Sequence, residues 1–228
     1  MKEELQRSKL ISIIALRFCL GFIFIGAIIF LTAGTLAYWE GWLYLAALMI
    51  PIGSTGVYFL IKDPEFLERR MRLREKESRQ KTIVVFSIIP VLLAYILPGL
   101  DKRFGWSNTP PVLAIFAAAV VLLSYGFVFL VFRENRYASR VIEVEQEQKV
   151  ISSGPYALVR HPMYLGMILL YVFTPLALGS YWAMVPCLSI IPVLAARCLN
   201  EETVLARDLP GYTAYMRKVR FRIFPGIW

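Results

Sequence analysis

Apolar residues occur in this chain as long runs separated by short polar connections. Six runs of roughly 17 to 28 residues can be drawn. A helix of roughly 20 apolar residues crosses the hydrocarbon core of a bilayer, whereas the strands of a membrane barrel show alternating segments of about ten residues. The pattern therefore predicts membrane-spanning helices at residues 10–37, 41–61, 82–100, 111–132, 163–179 and 182–199.

The predicted fold is an all-α integral membrane protein with about six transmembrane helices. The last two segments are the shortest, contain three prolines and are joined by only three residues, 179–181, so we expect a short helical hairpin. Whether this hairpin crosses the whole bilayer stays open. We divide the chain into four N-terminal membrane helices, residues 1–133, and a C-terminal region, residues 134–228. In that region the 134–164 segment and the tail are expected to form a pocket.

Composition and charge agree with a membrane protein. The hydrophobic fraction is 58% and the net charge is +9. Of the 25 lysines and arginines, 22 fall in segments that lie on one side if both termini share a side. The opposite side has only Lys102 and Arg103, and Arg17 lies inside the first predicted helix. Positive residues favour the cytoplasmic face, which places both termini in the cytoplasm. Basic loops beside anionic headgroups explain the charge, so we predict membrane lipids and no nucleic acid as partners.

The first polar cluster surrounds the only histidine of the chain. His161 follows Arg160 and precedes Pro162, just before an apolar segment, and Tyr156 and Tyr164 flank it. Hydrogen-bond donors gathered at the start of a helix suit an anionic group such as a carboxylate or a phosphate. A purely structural histidine and a site for a lipid headgroup are the alternatives.

The second polar cluster follows the hairpin and contains Arg197, Glu201 and Glu202. Adjacent residues of a helix point about 100° apart, so one glutamate can face a pocket while the other pairs with Arg197 or another arginine. A carboxylate at the bilayer boundary could stabilise a sulfonium or a quaternary ammonium cation. A solvated helix end is the alternative. Because the two clusters bracket one hairpin, we expect them to converge into one pocket beneath the lipid surface.

Several common site types find no support in the sequence. G-x-G-x-x-G, P-loop, H-E-x-x-H and C-x-x-C motifs are absent. With one histidine and three scattered cysteines, we predict no metal site and no disulfide framework.

Three groups of residues together resemble the isoprenylcysteine carboxyl methyltransferase family and the related phospholipid N-methyltransferases. They are Gly154-x-Tyr156-x-x-x-Arg160-His161-Pro162-x-Tyr164, then Arg197-x-x-x-Glu201-Glu202-x-x-Leu205, and finally Tyr212-x-x-Tyr215 with Arg222-x-x-Pro225. The similarity covers residues 135–228. It implies a membrane methyltransferase that binds S-adenosylmethionine in a cytoplasm-facing pocket, with the acceptor entering from the bilayer.

The resemblance also implies a set of site residues. Arg197 and Glu201 are the implied catalytic residues, and Arg197 also lies beside the carboxylate of the acceptor. Family members often have histidine where Gln148 stands, and the segment before Lys149 is about two residues shorter than in eukaryotic members. The implied cofactor contacts are Glu143, Gln148, Lys149, Val150, Ile151, Tyr156, Arg160, His161, Pro162, Met163, Tyr164, Glu201 and Glu202.

The predicted function is therefore methyl transfer from S-adenosylmethionine to a lipophilic acceptor, most like a prenylated thiol carboxylate. Phospholipid N-methylation and thiol S-methylation on the same fold are alternatives. So are an NADPH-dependent reductase of the sterol-reductase kind and a non-catalytic lipid-binding protein. Such reductases have a similar Arg-His-Pro motif but are longer and carry Arg-Asp-Glu instead of Asn200-Glu201-Glu202. The oligomeric state stays open.

Overall fold

The regular structure of the chain is helical. The computed structural model describes residues 2–71, 78–138, 144 and 147–228, and within these ranges it contains no strand, which confirms the all-α prediction. A single 3₁₀ turn, Gly154–Ala157, precedes the hairpin. The α-helices are α1 (Lys2–Ala33), α2 (Trp39–Lys62), α3 (Pro64–Met71), α4 (Ser78–Phe104), α5 (Pro111–Glu134), α6 (Pro162–Ala177), α7 (Met184–Asp208) and α8 (Tyr212–Lys218).

Each of the six predicted apolar segments corresponds to a helix. Five of these helices, α1, α2, α4, α5 and α7, are long and apolar enough to cross a membrane, so the chain is a multi-pass membrane protein. The remaining one, α6, is apolar but has only 16 residues. The first helix ends at Ala33, earlier than the predicted residue 37, because Gly34 adopts a left-handed conformation with φ of 69°, a common way to end a helix.

The tip of the α6–α7 hairpin is held by a buried polar cluster, which we call the tip clasp (Tyr38, Asp101, Ser107, Leu178 and Ser180). The carboxylate of Asp101 is 1% exposed and accepts hydrogen bonds from the backbone and the hydroxyl of Ser107, both at 2.6 Å, and from the hydroxyl of Ser180. The hydroxyl of Tyr38 donates to the carbonyl of Leu178. The short hairpin therefore reaches the same end of the molecule as the α1–α2 and α4–α5 connections.

The start of α6 is positioned by close packing against α5. At Gly166 an added Cβ would lie 2.5 Å from the Cγ2 atom of Val128 and 3.3 Å from the ring of Phe127. Small residues let membrane helices approach closely, and here the glycine brings the backbone of α6 against α5. This contact sets the Arg160-His161-Pro162 segment beside the C-terminal end of α5.

Candidate active site

A cavity lies at the end of the molecule opposite the tip clasp, where α5 and α7 end and α6 begins. Its walls come from the residues that follow α5, the segment that precedes α6, the start of α6, the C-terminal half of α7 and the tail. The residues that line it are Asn135, Tyr137, Ala138, Gln148, Lys149, Val150, Ile151, Tyr156, Arg160, His161, Met163, Tyr164, Arg197, Glu201, Leu205, Leu209, Tyr212 and Tyr215.

One face of α7 forms a wall of this cavity. Arg197, Glu201 and Leu205 all line it because residues four apart lie on the same face of a helix. Glu202 is turned about 100° from Glu201, and it points into the protein and away from the cavity. The two glutamates therefore separate as the helical geometry indicated, with one toward a cavity and the other toward arginines.

Glu202 is the centre of a buried ion network. Its carboxylate, 5% exposed, accepts hydrogen bonds from Nε of Arg160 at 2.5 Å and from Nε of Arg222 at 2.9 Å. Nε2 of His161 lies 3.4 Å from the same carboxylate. Arg160 also donates to the backbone carbonyls of residues 219–220, both at 2.8 Å. The network therefore joins the start of α6, the end of α7 and the tail.

The tail is also paired with the histidine segment through the backbone. The amide of Arg160 donates to the carbonyl of Phe221 at 2.9 Å, and the amide of His161 donates to the carbonyl of Arg222 at 2.8 Å. His161 is buried, and its Nδ1 lies 4.0 Å from the carboxylate of Glu201. The imidazole and the first glutamate, 40 positions apart in the sequence, are thus neighbours in one site.

A hydrogen-bonded chain runs along the cavity wall from Arg197 to Glu201. Nε of Arg197 donates to the hydroxyl of Tyr164 at 3.1 Å, and this hydroxyl donates to Glu201 at 2.6 Å. Tyr164 is 2% exposed, so its ring is held by packing. The tyrosine therefore fixes the relative positions of a cation and an anion that face the same cavity.

Tyrosines from the 3₁₀ turn and from α8 form another part of the cavity wall. The amide of Asn135 donates to the hydroxyl of Tyr156 at 3.0 Å, and the hydroxyl of Tyr215 donates to the carbonyl of Tyr156 at 2.8 Å. Burial raises the pKa of Tyr156 above its usual range, against the opposing hydrogen bond from Asn135. The phenol therefore stays neutral, and the wall is aromatic and uncharged.

Tyr212 offers the cavity an unused hydrogen bond. Its hydroxyl is buried and has no hydrogen-bond partner among the described residues. Burial raises the pKa of Tyr212, and the nearby carboxylates of Glu201 and Glu202 raise it further, so the hydroxyl remains a donor at neutral pH. Buried polar groups nearly always have a partner. A ligand or a water molecule in the cavity can supply this partner.

The side chains of His161, Cys198 and Glu202 place potential metal ligands within 4.8 Å of one another. The negative charge of Glu202 is already matched by Arg160 and Arg222. A metal cation would therefore sit beside two guanidinium groups, which repel it. This cluster is better suited to holding the fold than to holding a metal.

The structure brings most of the predicted site residues together. Pro162 begins α6 and Glu202 centres the ion network, and neither lines the cavity. Arg160 borders the cavity but directs its donors to Glu202 and the tail. Glu143 lies outside the described residues. The predicted residues that line the cavity are Gln148, Lys149, Val150, Ile151, Tyr156, Arg160, His161, Met163, Tyr164, Arg197 and Glu201.

Other lining residues were missed as site residues by sequence reasoning. Leu205 continues the spacing of four that joins Arg197 to Glu201, and this spacing was a usable signal. Tyr212 and Tyr215 stand three apart on α8, which places them on one face. No motif marked Leu209 or the residues that follow α5. The missed residues are Asn135, Tyr137, Ala138, Leu205, Leu209, Tyr212 and Tyr215.

The comparison with known families agrees with this geometry. No curated protein matches the chain. The model of the phospholipid methyltransferase family matches residues 112–209, which run from the first turn of α5 to the end of α7 and contain His161, Arg197 and Glu201. Residues 112–209 are therefore similar to the phospholipid methyltransferase family, the integral-membrane methyltransferases that are related to the isoprenylcysteine carboxyl methyltransferases.

Proposed function

We propose that this protein transfers a methyl group from S-adenosylmethionine to a lipophilic acceptor, with a prenylated thiol carboxylate as the favoured acceptor class. The observation that carries the proposal is the hydrogen-bonded series Arg197–Tyr164–Glu201 on one wall of a cavity that His161 and Tyr212 also line. A cation, an anion and an unpaired donor thus face one space at the membrane boundary.

The chemistry of the cavity suits S-adenosylmethionine. This cofactor carries a sulfonium, an ammonium and a carboxylate, and when bound it supplies an electrophilic methyl group. The Glu201 carboxylate would hold a positive group, and the His161 imidazole would hold the carboxylate. The unpartnered hydroxyl of Tyr212 would donate to the ligand. The segment 148–151 and Tyr156 would contact the adenosine. Arg160 and Glu202 would act indirectly by keeping His161 and the tail in place.

The position of Arg197 favours an acceptor that is already anionic. Arg197 lies one helical turn before Glu201 on α7, on the side toward the membrane interior, so its guanidinium meets a group that arrives from the bilayer. A carboxylate is ionised at pH 7 and needs no general base before methyl transfer. An amine or a thiol must first lose a proton, and Arg197 cannot accept one. In-line displacement then depends chiefly on alignment and on a preorganised site.

We further propose that the cavity faces the cytoplasm, with both termini on that side. The segments around the cavity carry most of the lysines and arginines, as expected for the cytoplasmic side. The tip-clasp end carries only Lys102 and Arg103, in the last turn of α4. In this arrangement residues 1–133 form the membrane scaffold and residues 134–228 provide the catalytic region.

Calorimetry on the purified protein tests cofactor binding. We expect saturable binding of S-adenosylmethionine and none of NADPH. Replacing Glu201 by Gln removes a charged partner and should weaken binding by about tenfold or more. The matched control is Arg207→Gln, which removes an exposed charge from the same helix outside the cavity and should leave binding unchanged. Saturable NADPH binding without S-adenosylmethionine binding would support a reductase instead.

A radiolabelled methyl-transfer assay tests the acceptor class. We expect label in N-acetyl-S-farnesylcysteine, and little in phosphatidylethanolamine or a small alkyl thiol. The variant Arg197→Gln should retain cofactor binding but lose most of the turnover with the carboxylate acceptor. Label in phosphatidylethanolamine alone would show that the acceptor is a phospholipid amine and contradict the role assigned to Arg197.

A further inference from the structure

A second concavity lies on the other side of α5 from the candidate active site, between α1, α2, α3 and α5; we call it the Arg17 groove. Its walls are almost entirely apolar. Ile11 and Val57, which border it, are 45% and 58% exposed, so the groove opens sideways toward the bilayer. Its charged lining residues are Arg17 and Arg70, and no carboxylate lines it in the described part of the chain.

Arg17 is the unusual residue of this groove. It lies nine positions after Ser8 in the apolar part of α1, where a charged side chain is rare and costly. Its Nη1 donates to the carbonyl of Met71 at 3.1 Å. A guanidinium has five N–H donors, and within the described ranges no carboxylate forms an ion pair with Arg17. A positive charge therefore faces an apolar groove without a compensating anion from the described chain.

Arg70 adds a second positive charge at the same end of the groove. Its guanidinium lies 4.1 Å from the ring centroid of Phe132 and donates to the carbonyl of Ala138 at 2.9 Å. These contacts hold Arg70 in place between α3 and α5.

We propose that the Arg17 groove binds one anionic glycerophospholipid as a resident ligand. The phosphate would pair with Arg17, and an acyl chain would lie along the apolar walls of α1 and α2. Helical side chains lean toward the N-terminus of their helix, so the guanidinium of Arg17 extends toward the membrane surface that carries most of the basic residues. Basic pockets between transmembrane helices are suited to anionic headgroups.

The groove is separate from the candidate active site. Phe66 and Phe132, which line the groove, pack in one cluster with Met163, and Met163 lines the active-site cavity. This apolar partition stands between the two spaces. The proposal concerns a bound lipid and not the methyl acceptor, and it stands whether or not the proposed function is correct.

Native mass spectrometry of the full-length protein, released from nanodiscs, tests this site. The probes are phosphatidylglycerol and phosphatidylcholine with identical acyl chains. We expect one phosphatidylglycerol to be retained with a preference of about tenfold over phosphatidylcholine. Arg17→Gln should abolish that preference, and Arg17→Lys should keep part of it. Arg133→Gln removes an exposed charge from the same side of the protein, outside the groove, and should keep the preference.

A second measurement does not depend on any variant. Phosphatidylglycerol with a photoreactive group in one acyl chain should label peptides that contain residues 11–18 or 52–60. Equal retention of the two lipids, an equal loss in Arg17→Gln and Arg133→Gln, or labelling confined to other helices would overturn the proposal. Displacement of the retained lipid by N-acetyl-S-farnesylcysteine would also overturn it, since the groove would then be part of the acceptor path.

Discussion

Replacing Glu202 by Gln tests whether the two adjacent glutamates have different roles, Glu202 in the ion network and Glu201 in the cavity. The substitution keeps the size of the side chain but removes its charge. Glu202 is 5% exposed and receives hydrogen bonds from Arg160 and Arg222. In the variant the amide oxygen can still accept one of these bonds, whereas the amide group is itself a donor and is directed at a guanidinium. The buried charge of Arg160 is left without an anion.

The expected effect is large because Arg160 and Glu202, the two members of this ion pair, are both buried. Removing one member of a buried ion pair typically destabilises a protein by about 3–5 kcal/mol. This loss of free energy should weaken the docking of the tail, because the network holds the tail against the start of α6. Backbone bonds from Arg160 and His161 to the carbonyls of Phe221 and Arg222 depend on the same docking. A loss of about 3 kcal/mol corresponds to more than about a hundredfold rise in the opening of the tail.

Hydrogen exchange measured by mass spectrometry reports this opening. In Glu202→Gln we expect the amides of Arg160 and His161 to exchange more than about a hundredfold faster, while amides in α5 change little. The control is Glu201→Gln, whose carboxylate accepts a bond from Tyr164 and faces the cavity; its tail should stay protected although its cofactor affinity falls. If exchange in Glu202→Gln stays within about threefold of the parent protein, Glu202 does not hold the tail in place.

Three further outcomes are expected. Tyr212→Phe removes a hydroxyl without a partner among the described residues, so the free energy of unfolding without ligand should change by less than about 0.5 kcal/mol. The affinity for S-adenosylmethionine, measured by calorimetry, should fall about three- to tenfold. Unchanged affinity would exclude the hydroxyl as a ligand contact. Gly166→Ala places a methyl group 2.5 Å from Val128 and should destabilise the protein by about 1–3 kcal/mol. In the control Gly126→Ala the added methyl group meets no atom within 4 Å, so its stability should be unchanged. Equal midpoints of the two variants in a thermal-unfolding assay would contradict close packing of α6 on α5 at Gly166. Asp101→Ala removes the acceptor of three hydrogen bonds and should lower the unfolding midpoint in the same assay. The affinity of the folded variant for S-adenosylmethionine should stay within about twofold, because the tip clasp lies at the end of the molecule far from the cavity. A large loss of affinity would show that the two ends are coupled.

The fold was largely predictable because length and apolar composition decide where a helix can cross a bilayer. The connection between the last two apolar segments, predicted at 179–181 and found at 178–183, is too short for anything but an antiparallel hairpin, so the polar groups before and after the hairpin had to meet. This reasoning sufficed to bring His161 and Glu201 together. It could not give the end of α1, which depends on the left-handed conformation of Gly34, or the end of α7, which continues to Asp208, beyond the predicted residue 199.

The partners inside the site were harder to predict because they depend on how the helices rotate against one another. The sequence indicated that one glutamate would face a cavity, but not that Arg160 and Arg222 would both form ion pairs with Glu202. It proposed Arg160 for a ligand carboxylate, whereas the geometry gives its donors to Glu202 and the tail. Asn135 enters the site only because α6 packs closely on α5, a contact that no local motif marks.

The partners of Glu202 leave the ribosome in a fixed order. Arg160 and Glu202 belong to the hairpin region, whereas Arg222 emerges 20 residues after Glu202. Until then the nascent chain has a guanidinium and a carboxylate at the bilayer surface with part of their bonding capacity unfilled. Docking of the tail fills this capacity, because Arg222 binds Glu202 and the carbonyls of residues 219–220 accept from Arg160, and it supplies the wall that contains Tyr212 and Tyr215. A polypeptide that has already inserted its helices therefore still lacks a closed binding site until this last step.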